Sequence, residues 1–137
     1  MTRKKSIKKY DDVDFEIRFM ESLLKKKPDF VEALVVLADL YTKKGFYKEG
    51  LVADERLARL KPHDPIVFYN LACSYSLVGD IEKSFKAIKR AVECGYTDFH
   101  HLEADGDLSN LRQDKRFQEY LIHVKKSFPK KSKPSHG

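Results

Sequence analysis

Residues 70–80 read Asn70-Leu71-Ala72-Cys73-Ser74-Tyr75-Ser76-Leu77-Val78-Gly79-Asp80. With Phe68 ahead of them, Leu71, Ala72 and Tyr75 fall at i, i+3, i+4 and i+7, the spacing that lines one face of a helix. Ala72 is small, which lets a neighbouring helix come close. Gly79 closes the run, where a positive backbone φ ends a helix at little cost to glycine. A shift of 34 residues returns the same pattern as Leu34, Leu37, Ala38, Tyr41 and Gly45. That register also aligns Pro28 with Pro62 and Leu23 with Leu57, and it keeps Ile17, Leu51 and Phe85 apolar.

A second apolar helix follows each of these: Leu51, Leu57 and Leu60 in the first copy, Phe85, Ile88, Ala91 and Val92 in the second. Pro62 ends the first because proline cannot continue a helix, and Gly95 takes that place in the second. A fixed period of this length marks helix pairs that bury their apolar faces by stacking on one another. The reading predicts helices near 12–27, 31–44, 47–60, 65–78 and 81–94, then a short helical cap and a last helix near 115–126.

The stretch 70–80 resembles the core motif of the tetratricopeptide repeat family, N-L-(G/A)-x-x-Y-x-x-x-G-D. The resemblance implies an all-α fold, a short right-handed α-α superhelix. It divides residues 11–126 into a half repeat 12–30, repeat one 31–64, repeat two 65–98 and a capping segment 99–126. Two residues depart from the family pattern. Asp54 stands where an aromatic residue is usual, and Asp39 sits late in a first helix; both are expected as surface adaptations. From Gly95 to Phe117 the text looks like the segment that closes many bacterial tetratricopeptide proteins, L-x-x-D-x-D-L-x-x-L-R-x-D-x-R-F. An end repeat lacks a neighbour on one side and needs a more polar finish. Thr97 and Asp114 are expected as helix caps there, and Phe117, Tyr120, Leu121 and Val124 as the stripe of the last helix.

The 137-residue chain carries a net charge of +6, unevenly placed. Residues 1–10 hold Arg3, Lys4, Lys5, Lys8 and Lys9 and no acid; residues 125–137 hold Lys125, Lys126, Lys130, Lys131 and Lys133 and no acid. Between them, 11–124 carries 17 basic against 21 acidic residues. The two ends, 1–10 and 127–137, have too few apolar residues to offset ordering entropy and are expected to be disordered basic tails. No stretch approaches the roughly 20 apolar residues of a membrane helix. The basic start lacks the apolar core of a signal peptide, so a cytoplasmic location is expected. Cys73 and Cys94 lie in helical patterns, without disulfide or zinc spacing.

Catalytic signatures are missing. His100 and His101 are adjacent and point about 100° apart on a helix, so with Glu103, Asp105 and Asp107 they match no zinc spacing. Asp105-Gly106-Asp107 lacks the calcium-loop pattern and reads as a turn with a helix cap. There is no Gly-rich phosphate loop and no nucleophile elbow. Neither an enzyme nor a cofactor is expected.

The resemblance implies a concave groove, lined by the first helices, that holds a partner segment. The family's groove positions fall here on Glu32, Val35, Asp39, Thr42 and Lys43 in repeat one, and on Ile66, Tyr69, Cys73, Ser76 and Leu77 in repeat two, with Asn70 beside them. One wall is then polar and the other apolar, with Tyr69 as the natural anchor. The alternative is that Ile66, Tyr69 and Leu77 pack under the capping segment. Val35 and Asp39 stand where the chaperone-tail clamp of one subgroup needs lysine and asparagine, so that ligand is not expected. The leading expectation is a protein-binding scaffold. The rivals are nucleic-acid or anionic-surface contact through the basic tails, and self-association through an exposed end of the stack.

Overall fold

The structure, a computed structural model, describes residues 2–128, with side chains from Asp12 onward. Among the described residues there is no strand, and the architecture is an all-α tetratricopeptide-like solenoid. Helix α1 is Thr2–Lys26, α2 Val31–Lys43, α3 Tyr47–Leu60, α4 Pro65–Val78 and α5 Ile81–Glu93. Then come the short α6, Phe99–Ala104, a 3-10 turn Gly106–Leu108, α7, Ser109–Arg112, and α8, Lys115–Ser127.

From α2 onward the expected boundaries agree to within a residue. The start of α1 differs: the helix backbone reaches back to Thr2, through the basic segment 1–10 expected as a tail. No Pro or Gly precedes Pro28, and Lys and Arg are good helix formers, so nothing in that stretch stops the helix. The C-terminal tail lies, from residue 129, outside the described residues. The cap of α6 also differs, because Asp98 rather than Thr97 accepts from the His101 amide. Asp114 caps α8 as expected, accepting from Arg116 and Phe117.

The period is visible in bonds as well as in residue types. Tyr41 donates to Glu21, and Tyr75 donates to Glu55 at 2.6 Å. Arg56 reaches the Pro28 carbonyl, and Arg90 reaches that of Pro62 at 2.9 Å. The tyrosine bonds tie a helix to the one before it, the arginine bonds tie a second helix to the turn ahead of its partner, and each recurs one repeat later. At Gly50 an added Cβ would stand 3.1 Å from Thr42 Oγ1, tighter than an ordinary contact, and 3.6 Å from the Ala38 carbonyl oxygen. Ser84 holds the same place in the next repeat and donates to the Ala72 carbonyl at 2.7 Å. Small residues are therefore needed where the paired helices touch. Gly79 ends α4 at φ 89°, the left-handed conformation that releases the chain into α5.

Two apolar clusters form the core. One joins α1, α2 and α3 around Leu34, Leu37 and Leu57. The other joins α4 and α5 to the C-terminal segment around Ile88, Leu108, Leu111 and Phe117. Ala58 packs against both and makes the stack continuous. Phe85 meets Phe117 edge-on at 5.9 Å, which fixes α8 on α5. Arg112 donates to the carbonyls of Leu102 and Asp105 at 2.9 and 2.6 Å and ties α6 to α7.

Candidate functional site

The first helices of the two repeats, α2 and α4, share a concave side, and the segment after α5 folds over one end of it. The result is a cleft of about 560 Å³. Of the groove residues expected from the sequence, Val35, Asp39, Thr42, Ile66, Tyr69, Asn70, Cys73 and Leu77 line it. Glu32 and Lys43 sit on the exposed surface of α2 outside the lining, Lys43 in an ion pair with Asp39 at 2.9 Å. Ser76 is fully buried: its hydroxyl accepts from the Leu111 amide at 3.3 Å, and its carbonyl accepts from the Asn110 side chain at 2.9 Å.

Tyr69 is not a free anchor. It is only 4% exposed, it stacks on Tyr96 with ring centres 4.6 Å apart, and its hydroxyl donates to Asp105 Oδ2 at 2.7 Å. Burial, and then that bond to a carboxylate, hold its hydroxyl well above the ordinary tyrosine range. Cys73 is buried beside it, with Sγ 3.9 Å from the same oxygen. Of the three residues in the alternative reading, Tyr69 lies under the C-terminal segment, and Cys73 and Ser76, which that reading did not include, are buried with it. The reading fails for Ile66, which is 55% exposed in the first turn of α4, and across the cleft Val35 is 48% exposed. Asp64 holds that turn by accepting from the Ile66 and Val67 amides. Leu77 is half-buried.

The structure adds lining residues that the family positions did not supply, among them Val36, Asp54, Asp64, His101, Asp105 and Asp107. Asp54 is the largest correction. Expected at the surface, it is 5% exposed and accepts from the Ser74 hydroxyl at 2.5 Å. Burial pushes its carboxyl up to about 6, against the opposing effect of the Ser74 bond. Its counterpart one repeat on is Ile88, fully buried in the core. Asp105 begins the 3-10 turn by accepting from the Asp107 amide, as its turn motif foretold, but it also receives Tyr69 and lies 3.4 Å from His101 Nε2. Burial, and then the charge of Asp105, raise the Asp107 carboxyl. Among the described residues no three His, Cys, Asp or Glu side chains are placed to hold a metal ion, and no helix is long and apolar enough to cross a membrane.

No family model matches the chain. A chloroplastic protein of Arabidopsis thaliana is 32% identical to it over 114 residues, 80% of this chain and 34% of that protein. The chain thus spans about a third of the length of the curated relative it matches. Among solved structures, MamA residues 41 to the end from Desulfovibrio magneticus RS-1 superposes with a TM-score of 0.59 at 17% identity, covering 90% of this chain and 72% of that one. A second MamA crystal structure gives 0.63 at 20% identity, covering 90% and 70%. At such identities the likeness is one of fold, and it is the tetratricopeptide-like helical repeat seen here.

Proposed function

We propose that the chain is a non-catalytic interaction module that holds a segment of a partner protein in the cleft between α2, α4 and the turn at residues 105–107. The observation that carries this reading is the exposure of Val35 and Ile66 on opposite walls of one concave cleft. Apolar side chains grouped in a concavity fit an occupant better than they fit water. The covering of Tyr69 moves the anchor from the centre of α4 to its first turn. With one buried aromatic fewer on offer, affinity is expected in the micromolar range, on the order of −8 kcal/mol.

The test is selection of binding peptides from a random display library against the full chain, followed by amide NMR footprinting. Footprints on Val35, Ile66 and Asn70 support the reading. A variant with Val35→Ala and Ile66→Ala should then lose about ten-fold in affinity or more, at unchanged helical content. Unchanged affinity in that variant refutes it.

A second reading, self-association, is favoured by a separate feature. Phe15 and Phe19 stack on each other at 6.3 Å on the exposed face of α1. Sedimentation of the chain against a Phe15→Ser, Phe19→Ser variant tests it. Concentration-dependent association that the variant abolishes is the supporting result, and a monomer at all concentrations removes the reading.

A further inference from the structure

The cleft has a charge of its own, opposite in sign to the chain's net +6. Asp39, Asp54, Asp64, Asp105 and Asp107 line it, and the lining residues include no lysine or arginine; His101 is the single basic side chain among them. Two of the five acids are used by the fold nearby. Asp64 caps α4, and Asp105 receives both Tyr69 and the Asp107 amide. A third, Asp39, is neutralised in part by Lys43.

Asp54 and Asp107 remain. Together with Asp105 they converge on Cys73: after burial itself, the charges of Asp105, Asp107 and Asp54 are what raise that thiol. Asp54 supplies an observation beyond the clustering of acids. It is more than nine-tenths buried, and its one hydrogen bond among the described residues engages Oδ2. Among the described residues nothing donates to Oδ1. It is not sealed in either, because among the described residues the enclosed polar side-chain atom without a partner is the Tyr96 hydroxyl. Asp54 thus lines the cleft as a buried carboxylate with one oxygen outside its Ser74 bond. Asp107 is exposed on the same lining, and its side chain accepts no hydrogen bond in the fold.

We propose that the cleft selects a protein segment presenting a lysine or arginine side chain between apolar residues, with the cation against Asp54 and Asp107 and the apolar residues against Val35 and Ile66. The inference rests on the groove reading and names the class of segment that fits it. A cation meeting a carboxylate already withdrawn from water gains more than it would at an open surface, and the surrounding acids repel acidic segments.

The experiment is the same peptide selection, scored for charge and repeated against Asp54→Asn, Asp107→Asn and the double variant. The expected result is enrichment of Lys or Arg within groove-binding peptides. Affinity should fall about ten-fold in the double variant, and several-fold between about 50 and 500 mM NaCl. Asp107→Asn breaks no bond of the fold, so it stays interpretable if Asp54→Asn alters folding. Groove-binding peptides without basic enrichment, or basic peptides that bind the double variant equally well, overturn the inference and leave the groove reading standing. If no selected peptide has a footprint in the cleft, the groove reading falls and the inference falls with it.

Discussion

Replacing Asp54 by Asn removes a buried charge while keeping an oxygen that can accept the Ser74 hydroxyl. In the folded chain the Asp54 carboxyl titrates near 6, against an ordinary value of 3.8. The folded state therefore holds the proton more tightly than the unfolded chain does, and the ionised form costs stability. The sign follows: the cost is absent below the unfolded value, grows as pH rises from about 4 to 6, and is complete above that. Two units correspond to about 3 kcal/mol at most, from roughly 1.4 kcal/mol per unit. Asp54→Asn is expected to stabilise the chain by up to about 3 kcal/mol at pH 7.5, and by at most about 1 kcal/mol at pH 4.5, just above the unfolded value, where most of the cost has not yet developed. Urea unfolding followed by circular dichroism at both pH values measures this. The readout is the difference between variant and parent, so groups that titrate alike in both cancel. A variant less stable than its parent at pH 7.5, or a stability difference independent of pH, refutes the reasoning that Asp54 is a desolvated charge. Stability lost at a carboxylate that lines a cleft accords with the proposed binding role.

Tyr69→Ala, which empties a stacked and hydrogen-bonded position under the C-terminal segment, should destabilise by about 3–5 kcal/mol, and Tyr69→Phe by about 1–2 kcal/mol, read from urea midpoints. A Tyr69→Ala chain that unfolds with its parent would put the ring outside the core. Gly79→Ala, at φ 89° with no atom within 4 Å of the added Cβ, should cost about 1–2 kcal/mol from backbone strain alone, leaving the dichroism of the folded state unchanged. Ser84→Ala removes the tie to the Ala72 carbonyl and should cost about 1 kcal/mol, whereas the same change at the exposed Ser109 should be neutral in the same melts.

The sequence by itself determined the helices and their pairing. Periodic apolar faces, Gly79, Pro62 and Asp114 act within one helix or between adjacent ones, and in a stacked repeat nearly all of the core arises at that range. The groove was legible for the same reason, since position within a repeat fixes which side of a helix a residue faces. Tertiary structure alone decided what covers that side. Tyr69 is buried by Asp105 and Tyr96, and Ser76 by Asn110 and Leu111, across 27 to 36 residues of chain. Asp105 and Asp107 read as turn residues because their local backbone bond is real; their place opposite Asp54 depends on how the C-terminal segment lies across α4. Asp54 itself departs from the repeat pattern, and a departure carries no sign of whether the residue faces water or the interior. Its burial is set by α4 packing on α3, where Ser74 meets one of its oxygens at the edge of the cleft.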